Sequence, residues 1–237
     1  MGWAEIFSEL ELCRRQFDRQ VEAQLATKEK GYNIFCCKGC SNCCSLSVNC
    51  SFPEAVAIAK MLPAQQIAQL EEKLLSLRHI SKQAESLTQF LRLFREQLGG
   101  CPFLDSEDGC CRIYAQRPFS CRALISTRNS SWCAVDFADL HPLEKEAFLS
   151  SLDSEIVAFP THYLAQTQEL GLELEAQAMV AMREAFGVSL SGNLLYQIWL
   201  ELEYRFSGVV EQGYSAGRAF LEERKLDLPY LLQIQGD

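Results

Sequence analysis

At 237 residues, 48% of them hydrophobic, the chain can build one large domain or two small ones and needs no metal merely to make up for a small core. Its formal charge of -9, without any block of Lys or Arg, argues against nucleic acid as a partner, because a phosphate-binding surface must be basic. No apolar run approaches the roughly 20 residues a membrane helix requires, and the charged start MGWAEIFSELELCRRQF has no apolar signal core, so neither membrane nor export is expected.

The first predicted element is a helix over residues 3 to 27. Trp3, Ile6, Phe7, Leu10, Cys13, Phe17, Val21 and Leu25 fall on one stripe at helical spacing, which makes Cys13 a core residue rather than a ligand. The segment CKGCSNCC, residues 37 to 44, then packs four cysteines into eight positions. Two cysteines separated by two residues can turn both sulfurs toward one point, and here Cys37, Cys40 and Cys43 keep that spacing with Cys44 adjacent.

A short helix is expected in PEAVAIAKML. Pro63 suits the first turn of a long helix that runs to Gly99 and Gly100, with a break near His79 into two antiparallel helices. The second cysteine set follows in CPFLDSEDGCCRIYAQRPFSC. CPFL and CCRIY flank the turn formers of DSEDG, which predicts a short hairpin pairing Leu104 with Cys110 and Phe103 with Cys111. That register puts Cys101, Phe103, Cys111 and Ile113 on one face and Cys110 on the other, making Cys111 the better ligand.

Helices are predicted again over about 142 to 152, 161 to 186, 191 to 206 and 208 to 226, punctuated at Gly187 and Ser207, with nothing to suggest a parallel sheet. The fold class expected is mainly α: one helical domain over 1 to 237, wrapped around a loop-rich cysteine-cluster module at 36 to 122.

Twelve cysteines would suit a disulfide scaffold in a small secreted chain, but three pairs here are vicinal (Cys36 with Cys37, Cys43 with Cys44, Cys110 with Cys111) and neighbouring cysteines fit disulfide geometry badly. Reduced thiols in a cytoplasm fit better, with a metal ion or cluster as the partner and room for a protein partner.

CKGCSNCC, CPFL and CRIYAQRPFSCR together resemble the zinc- or iron-chelating cysteine-cluster family, whose signature is CxxCxxCC, a downstream C-x-L, and CxIYxxRPxxCR. The resemblance implies Cys37, Cys40, Cys43, Cys44, Cys101, Cys111 and Cys121 as metal ligands, with Tyr114, Arg117, Pro118 and Arg122 as signature residues lacking a thiol. It covers about residues 36 to 122; Ser41 departs from the glycine frequent in relatives, and Cys36, Cys50, Cys110 and Cys133 are extra thiols. The family includes flagellin lysine N-methylases, so the resemblance also admits a cluster-dependent protein lysine N-methyltransferase, while naming a site rather than a reaction.

The ligands leave the metal open. Cys37, Cys40 and Cys43 match the CxxCxxC run of a [4Fe-4S] cluster, and Cys101 before Pro102 is similar to the remote Cys-Pro that completes one. A four-thiolate zinc site, or more than one zinc with bridging sulfur, uses the same residues. Cys36, Cys40 and Cys43 also fit CxxxCxxC, the spacing of radical S-adenosylmethionine enzymes, but out of the strand-to-helix context that such a motif requires.

Other residues read as structural. His79, His141 and His162 are expected at the surface or as caps, Arg117 and Arg122 as charge compensation or carbonyl donors beside the thiols, and Gly213 with Gly217 as a close helix contact.

Overall fold

A computed structural model describes residues 1–26, 31–105 and 107–236. Thr27, at the expected end of the first helix, and Ser106, in the expected turn, lie outside the described residues. Helix α1 (Trp3–Ala26) follows the predicted stripe, with Ile6, Leu10, Cys13 and Phe17 buried. Its first turn packs into the larger core, where Trp3 stacks on Phe7 at 5.5 Å and meets Phe52 and Phe186. Further along, Leu10, Cys13 and Phe17 join Phe119, Ala123, Leu174 and Ala178 in a smaller core. Cys13 is thus a packing residue, its thiol 3.7 Å from Gln177 Oε1.

Helix α2 (Phe52–Ala59) starts from a capping box. Ser51 and Glu54 satisfy each other's first-turn groups, and Pro53 sits where its missing N–H costs nothing. Nearly every residue of α2 is buried, as expected for a helix apolar all round. Helix α3 (Ala64–Gln83) runs past the predicted break: His79 is exposed on its surface, and the chain turns at 84–86 instead. The burial of Leu77 and Ile80 carries α3 through, and Ser86 caps α4 (Leu87–Leu93) by accepting from the Gln89 amide. A π-helical turn, Phe94–Leu98, continues α4 to Gly99, and Lys73 Nζ of α3 donates to the Leu98 carbonyl at 2.6 Å, so the two helices fold back on each other.

The later helices are α5 (Phe119–Arg122), α6 (Pro142–Ser150), α7 (Ala165–Phe186), α8 (Leu194–Tyr204), α9 (Phe206–Val210) and α10 (Tyr214–Glu223). Helix α7 begins later than predicted because Tyr163 and Leu164 are held in bridges to Ser126 and Val157; it ends on Gly187 at φ 68° as predicted. The expected helix over 208 to 226 divides into α9 and α10. The turn between α8 and α9 is at Arg205 (φ 51°) rather than Ser207, whose N–H and hydroxyl both donate to Glu201.

The predicted elements did not include the three-stranded antiparallel sheet, β1 (Asn49–Ser51), β2 (Val188–Asn193) and β3 (Leu232–Gly236), in the order β1-β2-β3. Cys50 pairs with Gly192, and Leu190 with Ile234. The sheet fastens the exit of the cysteine loop to the helices: Gln197 Nε2 of α8 donates to the carbonyls of Cys50 and Gly192, each at 2.8 Å. Gly217 does make a close contact, but against β3 and α9, since a Cβ there would stand 3.2 Å from Ile234 Cδ1 and 4.0 Å from the Phe206 ring. The architecture is mainly helical with this small sheet.

Candidate metal centre

The loop after α1 is shaped by its own short-range hydrogen bonds. The Cys40 amide donates to the Cys37 carbonyl at 3.1 Å, and a 3-10 turn over Asn42–Ser45 follows, with the Cys44 amide bonded to the Ser41 carbonyl. Gly39 (φ 81°) and Gly109 (φ 68°) let this loop touch the second cysteine stretch: a Cβ on Gly39 would lie 3.1 Å from the Asp108 carbonyl oxygen, and one on Gly109 3.0 Å from that of Gly39. A direct link follows where the Cys101 amide donates to the Cys44 carbonyl at 2.9 Å. Asn42 Nδ2 reaches Ser130 Oγ at 3.1 Å, which brings the Cys133 turn alongside.

The expected hairpin is reduced to one antiparallel bridge and its register is shifted by one residue: Leu104, not Phe103, stands opposite Cys111. Asp105 sets this register, because its amide donates to the Cys110 carbonyl at 2.8 Å while its carboxylate holds the Arg112 guanidinium and caps the turn. Phe103 and Ile113 remain buried, and Cys101 and Cys111 both pack against the larger core. Cys110 pairs instead with Asp108, whose carboxylate is the main cause of its raised thiol pKa.

The signature residues without thiols have a common task. Arg122, 2% exposed, donates to the carbonyl of Arg117 at 2.9 Å and to that of Ala115, and pairs with Asp18 of α1 at 2.5 Å. Arg14 of α1, also buried, takes the Gln116 carbonyl between them at 3.1 Å. Two guanidinium groups therefore satisfy three successive carbonyls of the segment leading to Cys121, which leaves that backbone one conformation. Pro118 opens α5, and the Phe119 amide donates to fully buried Glu54 at 2.8 Å. Arg117 lies over the Tyr114 ring, 4.1 Å from its centroid.

These pieces surround a cavity of about 820 Å³, and Cys37, Cys40, Cys43, Cys44, Cys101, Cys111 and Cys121 all line it. Cys36, Cys110 and Cys133 line it too, while Cys50, in β1, is sealed in the core. Much of the remaining wall is apolar, from residues such as Val21, Leu25, Ile34 and Leu46. All twelve cysteines are free thiols.

Cys43 is the electrostatic hub. Its hydrogen bond with the Cys44 thiol, then burial, pushes it far above the ordinary thiol range, and its own charge would be felt at Cys36, Cys101, Cys111, Cys121 and Cys133. Burial likewise pushes Cys101 up to about 12 and raises Cys111 and Cys121. Cys121 is only half-buried because it faces the cavity; protein on its other sides still desolvates it. Arg117 opposes the rise at Cys43, Cys111 and Cys121, and Lys73 at Cys101. Two such cations cannot balance a set of thiolates this large, so only a bound cation would let these sulfurs ionise together.

Sulfur donors gathered around one cavity suit zinc or iron in chemistry. Among the described residues, no three His, Cys, Asp or Glu donors are grouped tightly enough around one point to hold an ion. The thiols share a cavity without yet sharing a centre.

Residues 36–139 match the family model of the CxxCxxCC domain, described as a putative zinc- or iron-chelating domain. The match spans 104 of the 237 residues, 36 to 139 inclusive. The match runs beyond the last signature cysteine and takes in Cys133. The chemistry that the family description names is chelation of zinc or iron. No curated protein and no solved structure matches the chain. Among the described residues, no helix is long and apolar enough to cross a membrane.

Of the three histidines, His79 is exposed and His141 caps α6 through Leu143, as expected. His162 departs from that reading. It is 4% exposed, with Nε2 3.3 Å from the Cys133 sulfur, and burial lowers its pKa to about 4, so the ring is neutral. The partners stand 29 positions apart in the chain, so no local spacing could have paired them. The CxxxCxxC loop precedes β1 of an antiparallel sheet, not the first strand of a parallel barrel.

Proposed function

We propose that this chain binds zinc or an iron-sulfur cluster through thiolates drawn from Cys37, Cys40, Cys43, Cys44, Cys101, Cys111 and Cys121, and that binding ties the first cysteine loop to the 101–114 turn and α5. The observation that carries the reading is that all seven line one cavity. The backbone contact from Cys101 to Cys44 supports it by bringing the two sequence stretches within reach of a shared centre. When bound, the metal supplies the positive charge that lets buried thiols ionise. The protein's part is to present the sulfurs: Arg122 and Arg14 hold the approach to Cys121, the paired glycines hold the two loops together, and Arg117 lends charge.

The choice of inorganic group follows from which thiols are used. Cys37, Cys40, Cys43 and Cys101 would serve a [4Fe-4S] cluster, and Cys44, Cys111 and Cys121 widen the set to one that could hold zinc with bridging sulfur. Twelve free thiols suit a reducing compartment, which favours the cytoplasm. Iron, zinc and acid-labile sulfide counted per chain after anaerobic purification, with the visible spectrum, test the reading. Charge-transfer bands with stoichiometric sulfide mean a cluster, zinc without bands means thiolate zinc, and a chain that retains neither metal under these conditions overturns it.

A further inference from the structure

A second group of donors lies at the edge of the signature thiols, and three of its members are outside the signature. Ser126, fully buried, donates its amide to the Cys36 sulfur at 3.2 Å and forms an antiparallel bridge with Tyr163. That bridge sets His162 beside Cys133. Thr127 fixes the histidine backbone, its amide and hydroxyl both donating to the His162 carbonyl at 3.0 and 2.9 Å. The ring is wedged between Phe148 and Tyr163, with centroids at 5.8 and 4.4 Å, so Nε2 has one direction to point.

That direction is toward Cys133 Sγ, 3.3 Å away. Sulfur and nitrogen ligands at about 2.3 and about 2.05 Å from a tetrahedral zinc stand about 3.6 Å apart, close to this separation. The Tyr163 hydroxyl is hydrogen-bonded to the same sulfur, in the manner of an outer group that orients a ligating thiolate. Cys36, Cys40 and Cys43 are the other thiols within electrostatic reach, Cys36 interacting with Cys133 and the other two with both; Cys43, bonded to Cys44, belongs with the signature thiols. A buried Cys-His hydrogen bond alone would call for none of them.

We infer that Cys36, Cys133 and His162 are ligands of a metal ion additional to the one held by the signature thiols, with Cys40 completing the tetrahedron as a thiolate shared between the two. The inference rests on the metal-binding reading above. Cys36, which is exposed, and Cys40, which is half-buried, must move inward to reach the ion, and the cavity both line gives them room to do so.

The test uses the full chain, purified anaerobically, with metal counted per chain and the metal's X-ray absorption fine structure recorded. Wild type is expected to show at least one nitrogen scatterer near 2 Å beside sulfur, a distance typical of imidazole on zinc. His162→Ala and Cys133→Ser should each lose one equivalent of metal and keep the rest. His162→Cys should restore the count while abolishing the nitrogen signal. Wild type with sulfur scattering only, or His162→Ala with an unchanged count, overturns the inference and leaves the signature site standing. A metal-free wild type overturns both, and the scattering of wild type decides even if the variants fail to fold.

Discussion

The C-terminal part of the chain that begins at α7 and the cysteine-bearing loops at 36–48 and 99–135 are stabilised in different ways. In the first, Leu190, Leu200, Phe206, Val210 and Leu221 are fully buried in the core shared by the sheet and helices. In the second, only short turns, 3-10 segments and the four-residue α5 are regular, and the loops surround a cavity held by glycine contacts, two buried arginines and single backbone bonds. Burial of apolar area stabilises one region whatever the solution contains, while the other has unfilled volume at its centre and depends on what binds there.

The comparison breaks most sharply at Cys43. Replacement by serine should release most of the metal and cost more than about 4 kcal/mol in the cysteine-rich stretch, because a structural ion is lost with its ligand. Hydrogen exchange is expected to rise across 36–48 and 99–135 and to leave α2, α3, α7, α8 and β2 protected; equal loosening in both regions would erase the distinction. Leu200→Ala is the reverse experiment. It should cost about 3 kcal/mol by chemical denaturation, as a fully buried leucine does, with metal count unchanged.

A smaller effect sharpens the boundary between the loops. Gly109→Ala forces an L side chain to φ 68° and to within 3.0 Å of the Gly39 carbonyl oxygen, so about 1–2 kcal/mol of stability and a weaker grip on the metal are expected, read by melting and chelator competition. Glu175 gives a pH signature on the scaffold side. Burial, then the charge of Glu54, raises its carboxyl to about 8, against 4.5 unperturbed. The folded state therefore holds a proton that the unfolded state has released, and this contribution to stability is full below about pH 4.5 and lost as pH rises toward 8. Glu175→Gln should flatten that slope and add on the order of 1 kcal/mol at pH 8, discounted because solvent reaches part of the side chain; a steeper slope would contradict the burial argument. Cys13→Ser, in the small core of α1, should cost about 1 kcal/mol and leave every metal atom in place.

Particular residues mark how far the sequence could be read. The stripe from Ile6 to Phe17 and the stop at Gly187 specify their helices because a 3.6-residue period and a left-handed glycine are local properties. The alternations Val188-Ser-Leu-Ser and Leu232-Gln-Ile-Gln carried a strand signal as well, but next to strong helical patterns such short runs are ambiguous until a partner strand accepts them. The hairpin register turned on Asp105, whose bonds to Arg112 and to the Cys110 carbonyl compete with the simple count of turn residues.

At the site, the spacing of Cys37, Cys40, Cys43 and Cys44 and the signature around Cys121 singled out from the chain alone thiols that the structure gathers on one cavity, since residues a few positions apart are brought together by the turn that separates them. Only the tertiary structure decided that Arg14 and Arg122 share the carbonyls before Cys121, that Cys50 is sealed away from the cavity, and that His162 faces Cys133. These pairings join residues distant in the chain, and the free energy that selects them comes from burial in a core no local pattern describes.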